Sequence, residues 1–165
     1  ILRMDEGEDL IEKFTITPET IKIISEADIV VISDYNKGFL TTETITLIGH
    51  HAKLSILDSK RILVPSFSTL SFIKLNKSER EQQDEVLIKK LNIITTLGKK
   101  GAEYMGKVYP TKKPKDTIDV SGAGDTFTSA FILKYHETGS IDESIYYANI
   151  KASDVVSRRG VVVPK

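Results

Sequence analysis

A glycine-rich turn that runs directly into an apolar helix pattern is the stretch of this sequence best suited to chemistry. It covers residues 119–125 and contains Gly122, Ala123 and Gly124, followed by Asp125. Small residues let the backbone approach a ligand closely, and the first turn of a helix aims free N–H groups and the positive end of the helix dipole at one point. That arrangement favours an anion, most often a phosphate.

Asp125 would lie in the first turn of that helix, beside the bound anion. A carboxylate repels a phosphate, so it is a poor choice for binding alone. It suits a reaction in which a hydroxyl attacks phosphorus and must lose its proton. The alternative is that the glycines only form a tight turn and that Asp125 only complements the helix dipole. The residues by themselves leave both interpretations open.

Short apolar runs separated by helix patterns make up most of the remaining chain. The apolar runs predict strands at residues 29–32, 55–58, 72–75 and 92–96, and residues 102–109 are typical of a hairpin that turns at Gly106. Continuous apolar runs of this length indicate strands buried on both faces of a parallel sheet. The sequence therefore predicts an α/β domain.

The helix patterns are marked by their caps and by their apolar stripes. Thr17 and Pro18 begin a predicted helix that runs to about Glu26, and a capping-box pattern begins another at 140–143. Residues 61–71 show no regular pattern. The buried stripes are predicted to contain Ile45, Leu47 and Ile48 in a helix over 41–51, Phe127, Ala130 and Phe131 in the helix after the glycine turn, and Ile145, Ala148, Asn149, Ala152 and Val156 in the last helix.

Polar segments follow the strands at three places, over residues 33–38, 76–79 and 96–101. Ligands of open α/β sheets gather at the carboxyl ends of strands, so each segment is well placed for a site. Each also has a purely structural interpretation. Residues 33–38 could be a turn with Gly38 in a left-handed conformation, 76–79 a capping box, and 96–101 a β-turn.

Residues 119–132 resemble the carboxy-terminal signature of the ribokinase-like (PfkB) carbohydrate kinases. The resemblance implies a ribokinase-like fold, a largely parallel sheet between two layers of helices, and ATP-dependent phosphorylation of a sugar or a similar alcohol. It further implies that Asp125 is the catalytic base. The backbone of Gly122, Ala123 and Gly124 would form the anion hole for the transferred phosphoryl group.

The resemblance extends to two of the polar segments. Asn76 and Glu79 match the second motif of the family, an Asn-x-x-Glu that organises Mg²⁺, its waters and the nucleotide phosphates. Hard cations take oxygen ligands and often keep water, so one carboxylate and one amide oxygen are chemically adequate. Thr96, Gly98 and Gly101 resemble the nucleotide-binding loop of the family.

Other matches concern the sugar and the adenine. Asp34 and Lys37 lie in a Ser-Asp-Tyr-x-Lys-Gly segment similar to that of heptose kinase-like members, where they would position substrate or phosphate. Asn149 corresponds to an asparagine that borders the adenine pocket. Residues 3–5 resemble a segment near the sugar site, although a solvated strand end is the alternative, and residues 160–164 resemble the closing segment of these kinases.

The composition of the chain limits the kinds of binding partner that we expect. The chain has 165 residues, 23 basic and 23 acidic side chains and no cysteine. The balanced charge indicates neither nucleic acid nor an anionic membrane as a partner, and no apolar run approaches the roughly 20 residues of a membrane span. No pair of histidines has metal-ligand spacing. We expect a cytoplasmic protein that binds ATP, Mg²⁺ and a sugar or sugar phosphate; the family also admits a monovalent cation and a homodimer.

The amino-terminal half that full family members carry, with a Gly-Gly/Asn sugar motif and a β-sheet lid, is not found in this sequence, which begins at Ile1. We therefore expect residues 1–165 to be the carboxy-terminal part of a single kinase domain, most similar to the heptose-phosphate kinase branch, and inactive alone if the sugar contacts are missing. A nucleotide-binding module without catalysis and an α/β interaction domain without a nucleotide are the alternatives.

Overall fold

The structure is a computed structural model, and it describes residues 11–111 and 122–156. These residues are organised around one mixed sheet. Its strands are β1 (Val30–Asp34), β2 (Ser55–Ser59), β3 (Phe72–Asn76), β4 (Ile93–Thr96), β5 (Ala102–Tyr104) and β6 (Lys107–Tyr109). They lie in chain order; β1 to β4 are parallel, and β5 and β6 are antiparallel. The predicted strands and hairpin are confirmed, with small differences at their ends.

Helices follow or connect the strands. They are α1 (Pro18–Glu26), α2 (Thr42–His51), α3 (Lys77–Glu81), α4 (Glu85–Ile88), α5 (Ala123–Thr138) and α6 (Ile141–Val156). Short 3-10 helices cover Pro65–Thr69 and Gly98–Lys100. The first of these lies inside the segment for which the sequence showed no regular pattern, and it buries Phe67 in the core.

The predicted caps are present, one of them only in half. Thr17 Oγ1 accepts a hydrogen bond of 3.2 Å from the Thr20 backbone N–H, which satisfies a free donor at the start of α1. Ser140 Oγ accepts one of 3.3 Å from the Glu143 N–H at the start of α6. The Ser140 N–H donates to Thr138 Oγ1 at 3.2 Å instead of to Glu143, so the reciprocal half of the predicted capping box is not formed there.

Two apolar clusters lie on opposite faces of the sheet, because successive strand residues point to opposite sides. α1, α2 and the 3-10 helix at Pro65–Thr69 cover one face, and α5 and α6 cover the other. The predicted three-layer arrangement is confirmed. The buried residues of the α5–α6 face are Ile56, Phe72, Ile94, Ala102, Tyr109, Phe127, Ala130, Phe131, Ile132, Ile145 and Ala148.

Two predictions about buried stripes were wrong in detail. Leu47 is 42% exposed, because the buried stripe of α2 runs through Thr44, Ile45, Ile48 and Gly49. In α6 the buried valine near the end is Val155, while the predicted Val156 is only half-buried.

Several sequence matches lie outside the described residues. They are the segments at 3–5 and 160–164 and the part of the glycine-rich turn before Gly122. Within the described ranges, no helix is both long enough and apolar enough to cross a bilayer.

Two glycines in the predicted nucleotide loop differ in how much a side chain would disturb them, which provides a matched stability test. Gly101 has φ 98°, and a Cβ built there would lie 2.0 Å from the Tyr109 carbonyl oxygen. Gly98 has φ 59°, in the left-handed region, and a Cβ there meets nothing within 4 Å. We predict that Gly101→Ala lowers the free energy of unfolding by roughly 2–4 kcal/mol and Gly98→Ala by about 1 kcal/mol. Urea denaturation of both variants measures this difference; equal losses would contradict the role of the Tyr109 contact.

Candidate active site

The register of the parallel strands brings polar side chains together at one edge of the sheet. Asp34 pairs in register with Ser59 and Asp58 with Lys74, while Asn76 pairs with Thr96. All of these residues except Lys74, which lies in the middle of β3, are at or near the carboxyl ends of their strands. The predicted segments after β1, β3 and β4 therefore share an edge, as the parallel topology requires.

One open cavity at this edge joins the segments after β1 and β3 to the end of β2 and the first turn of α5. Its volume is about 140 Å³, and its lining residues are Ser33, Asp34, Tyr35, Asp58, Lys60, Lys74, Glu79, Gly124 and Asp125. Ligand pockets in proteins are commonly about 300–1,000 Å³, so this cavity fits a phosphoryl group and an ion rather than a whole nucleotide or sugar. The loop after β1, the cap after β3 and the first turn of α5 thus meet around a small space.

The first turn of α5 has the geometry expected of a glycine-rich turn feeding a helix. Gly122 is the N-cap residue with φ 75°, a left-handed conformation that favours glycine. Its carbonyl accepts the Thr126 N–H at 2.9 Å, so the helix is regular from Ala123 onward. Asp125 is exposed and faces the cavity. Backbone donors at a helix start and a solvated carboxylate therefore lie side by side.

The segment after β3 is a complete capping box. Asn76 Oδ1 accepts the Glu79 N–H at 2.9 Å, and Glu79 Oε2 accepts the Asn76 N–H at 2.7 Å. The capping box predicted as the structural interpretation of this segment is thus present. It occupies only one carboxylate oxygen of Glu79, so the other oxygen remains available. Glu79 also lines the cavity, and its Oε1 takes no part in the capping box.

Asp34 is held by the protein itself. It is 6% exposed, and its carboxylate accepts from Ser59 Oγ at 2.7 Å, from the Asn36 N–H at 3.0 Å and from the Arg61 guanidinium. Arg61 also donates to the carbonyl of Leu40. This contact set ties both ends of the loop after β1 to the end of β2. Asp34 therefore anchors the predicted substrate loop. The sequence analysis predicted Asp34 to position substrate or phosphate and did not predict this structural role.

Lys37 lies on the other side of that loop. It lines a second open cavity of about 330 Å³ together with Ser33, Asp34, Tyr35, Phe39 and Leu40. The ring of Phe39 packs on Phe14 with 5.5 Å between centroids. The two predicted substrate residues, Asp34 and Lys37, thus border the same space. Asp34 also borders the smaller cavity that contains Asp125.

A buried ion pair beneath the first turn of α5 was missed by sequence reasoning. Lys74 Nζ lies 2.9 and 3.0 Å from the two carboxylate oxygens of Asp58, and Thr128 Oγ1 lies 3.2 Å from Asp58 Oδ2. The signal that could have found it is a lysine inside an otherwise apolar strand, opposite an acid at the end of the preceding strand. Likewise Arg61 was missed because it lies in the segment without a regular pattern.

The predicted nucleotide residues lie at the end of β4, in the turn that follows it and in α6. Thr96 ends β4 and its Oγ1 donates to the Leu75 carbonyl at 3.3 Å. Gly101 lies against the backbone of Tyr109, whose carbonyl accepts from Asn149 Nδ2 at 2.9 Å. The Asn149 amide is thus satisfied by the hairpin rather than left open. Gly98, in contrast, borders open space. The structure therefore links Gly101 to Asn149 through Tyr109, and the Gly101 N–H donates to the Gly98 carbonyl at 3.0 Å within the turn.

Tyr109 is further fixed by the start of α6. Its hydroxyl donates to Asp142 Oδ1 at 2.6 Å, and Lys107 Nζ donates to Asp142 Oδ2 at 2.7 Å. Burial, and then the hydrogen bond to Asp142, raise the pKa of Tyr109. The bonds from Lys107 and Tyr109 lower the pKa of the Asp142 carboxyl. Tyr109 therefore stays protonated as a donor, and this network sets the position of the hairpin next to Gly101.

The charges around the small cavity are predominantly negative. Four carboxylates line it, from Asp34, Asp58, Glu79 and Asp125, and two ammonium groups, from Lys60 and Lys74. A polyphosphate would be repelled from this site unless a cation accompanied it. No group of three or more metal-ligating side chains occurs among residues 11–111 and 122–156. These charges are compatible with a divalent ion that takes its direct ligands mainly from phosphate and water.

The fold and this site define an α/β protein with a glycine-rich helix start beside an exposed carboxylate, at the carboxyl edge of a parallel sheet. Residues 5–165 match the model of the pfkB family of carbohydrate kinases. The chain belongs to this family. It is 34% identical over 161 residues to the bifunctional protein HldE of Helicobacter pylori, an alignment covering 83% of this chain and 35% of that protein. It is also 30% identical to an uncharacterised sugar kinase of Buchnera aphidicola, covering 97% of this chain and 59% of that one.

Solved structures show the same fold. The structure of Arabidopsis thaliana ribokinase complexed with ribose and ATP superposes with a TM-score of 0.70 at 20% identity, covering 87% of this chain and 54% of the ribokinase chain. The ribokinase-like fold predicted from sequence is therefore confirmed. The chain spans about a third of the length of the HldE protein and about half that of ribokinase.

Arg61 pairs with the buried carboxylate of Asp34, and Arg80 pairs with the exposed carboxylate of Glu85. Comparing the two arginines tests how the loop after β1 is held. We predict that Arg61→Gln lowers the free energy of unfolding by roughly 2–4 kcal/mol, because it leaves the buried Asp34 carboxylate without its cation. The control is Arg80→Gln, whose partner Glu85 is largely exposed at 67%, so its loss should be much smaller. Urea denaturation compares the two, and a similar loss in both variants would show that Arg61 is not an anchor.

Proposed function

We propose that this chain carries the nucleotide-binding and catalytic part of an ATP-dependent kinase that phosphorylates an alcohol group of a sugar or a sugar phosphate. The observation that carries the proposal is the single cavity in which Glu79, Gly124 and Asp125 meet at the carboxyl edge of a parallel sheet. Membership of the pfkB family supports the same reaction class. A reaction that consumes ATP also favours a cytoplasmic location.

In the proposed mechanism Asp125 is the general base. Its carboxylate accepts the proton of the sugar hydroxyl while the hydroxyl oxygen forms a bond to the γ-phosphorus. The bond between that phosphorus and the bridging oxygen breaks, and ADP leaves with the electron pair. The backbone N–H groups at Gly122, Ala123 and Gly124 stabilise the charge on the transferred phosphoryl oxygens. The exposure of Asp125 lets its proton pass to solvent afterwards.

Asn76 and Glu79 would hold Mg²⁺ through its waters. The fit rests on the chemistry of the donor set: Glu79 lines the cavity and keeps one oxygen outside the capping box, whereas Asn76 Oδ1 is engaged by the Glu79 N–H. Mg²⁺ would neutralise phosphate charge in a cavity that is otherwise negative. The cap thus has a second use, because it fixes the position of Glu79.

We place the nucleotide along Thr96, Gly98 and Gly101, with its adenine near Asn149 and its phosphates toward Gly124. The open space at Gly98 and the closeness of Asn76 to Thr96 in the sheet support this path. Sugar or sugar phosphate would enter from the loop after β1. There Lys37 would contact substrate, and Asp34 would act through the shape of the loop that it anchors. A homodimer and a monovalent cation stay predictions.

A non-catalytic nucleotide-binding module of the same fold is the second candidate. The saturated carboxylate of Asp34 favours it, because one of the two residues predicted to bind substrate is already engaged by protein donors. Both candidates require nucleotide binding. They differ in whether the polypeptide that carries this sequence turns ATP over with a sugar acceptor.

The decisive variant is Asp125→Asn, which keeps the shape of the side chain and removes the base. We predict that ATP binds with equal or greater affinity, because a repulsive charge is lost, and that kcat falls roughly 10²–10⁴-fold. Calorimetric titration with ATP and turnover with a panel of sugars and sugar phosphates measure the two effects in the full polypeptide. Asp28→Asn, at an exposed residue paired with Lys53, is the control.

Three outcomes separate the alternatives for Asp125. Near-parental turnover in Asp125→Asn removes this residue from the mechanism. ATP binding without turnover in the parent selects the non-catalytic module. A parent that binds no nucleotide overturns both candidates.

Glu79→Gln tests the proposed metal role, because glutamine can still cap α3 but carries no charge. We predict unchanged thermal stability and an increase in the Mg²⁺ concentration needed for half-maximal turnover. Glu81→Gln is the matched control, since Glu81 lies on the same helix and pairs with Lys77 at the surface. A magnesium requirement that does not move in Glu79→Gln would leave this residue as a helix cap only.

A further inference from the structure

Lys74 is a buried charge that the mechanism above does not use. It lies in the middle of β3 between Ile73 and Leu75, and it is 6% exposed. Because neighbouring strand residues alternate faces, Lys74 points away from Ile73 and Leu75 and toward α5. Burying an ammonium group is costly unless it is paired and hydrogen-bonded. Its position on the α5 side of the sheet therefore needs an explanation.

Its partners connect three elements. Asp58, on β2, receives Lys74 Nζ on both carboxylate oxygens at 3.0 and 2.9 Å. Thr128, on α5, lies within hydrogen-bond distance of Asp58 Oδ2 at 3.2 Å and of the Gly124 carbonyl at 3.0 Å. This network fixes where the ammonium group lies relative to the first turn of α5.

Gly124 leaves room for the ammonium group. A Cβ built on Gly124 would lie 3.1 Å from Lys74 Nζ, so the lysine occupies the side of the helix where a side chain would otherwise stand. Lys74, Gly124 and Asp125 line the same small cavity. An ammonium group at this place is beside the backbone donors that would hold a phosphoryl group.

The ion pair is better explained by function than by stability. Buried ion pairs seldom stabilise a protein more than apolar side chains of similar volume would. An ammonium group has three N–H donors, and the Asp58 contacts account for two of them. Asp58 and Asp34 are paired with Lys74 and Arg61, so the carboxylates of Glu79 and Asp125 repel a phosphate most, and an ammonium group under the helix start offsets that repulsion locally.

We propose that Lys74 is a further catalytic residue, whose ammonium group donates to an oxygen of the terminal phosphoryl group bound at the first turn of α5. Asp58 is a positioning residue that orients Lys74. The inference rests on the proposed kinase function, because it assigns Lys74 to the phosphoryl group that this function transfers. It deepens that function by making the site selective for the triphosphate over the diphosphate.

The test compares ATP with ADP in the presence of Mg²⁺. Lys74→Met alone would leave Asp58 buried without its cation, so the informative variant is the double change Asp58→Asn with Lys74→Met, which removes both charges. We expect it to fold, to weaken ATP binding about 10–100-fold, and to leave ADP binding nearly unchanged, since the lost contact is a charged hydrogen bond to the terminal group. Lys53→Met, which changes an exposed lysine paired with Asp28, is the control.

Calorimetric titration with ATP and with ADP, at fixed Mg²⁺, separates the outcomes. Loss of ATP affinity alone supports the proposal. Equal weakening of ATP and ADP, or no change in either, overturns the role of Lys74 while the parent's nucleotide binding still supports the kinase function. A parent that binds neither nucleotide overturns both.

Discussion

Parallel pairing of β1 to β4 is the constraint on which the rest of this structure depends. It forces the carboxyl ends of four strands to one edge, where backbone groups leave the ladder and polar side chains can reach solvent. The bodies of the strands are apolar and buried between two layers of helices. Only their last residues, such as Asp34, Asp58, Asn76 and Thr96, can form a site without disturbing the core.

Packing on the sheet face covered by α5 and α6 then positions the first turn of α5. Phe131 contacts Phe72 of β3 edge-to-face, with ring centroids 5.0 Å apart, and Tyr135 contacts the same ring at 4.7 Å. Large aromatic side chains dominate core energetics and prefer this geometry. Because Phe131 and Gly124 belong to one rigid helix, the contact with Phe72 also sets how far Gly124 and Asp125 lie from Lys74, two residues along the same strand. Core packing and site geometry are therefore the same constraint.

Local pattern predicted most of the fold, since short apolar runs, caps and apolar stripes are local properties. It failed where partners are distant in sequence. Leu47 was predicted to be buried together with Ile48, but which face of α2 is buried depends on the elements that pack against the helix. Arg61 reaches Asp34 across 27 positions from a segment without a regular period, so nothing local marks it. Likewise, Lys74 is visible as a charge inside an apolar strand, but its pairing with Asp58 depends on the register of β2 and β3.

The four carboxylates of the small cavity differ in how far the protein itself uses them. Asp34 accepts from three residues and Asp58 from two, so both are engaged mainly in holding the structure. Glu79 uses one oxygen for its cap. The carboxylate of Asp125 has no hydrogen-bond or ion-pair partner among the residues that the structure describes.

A carboxylate whose lone pairs are occupied is a poor proton acceptor, whereas a solvated one can take a proton without breaking a structural contact. This ordering separates Asp125 from its neighbours on physical grounds that do not depend on a motif. A structural carboxylate and a reactive one look alike in sequence, and they differ only in the donors that the fold brings to them.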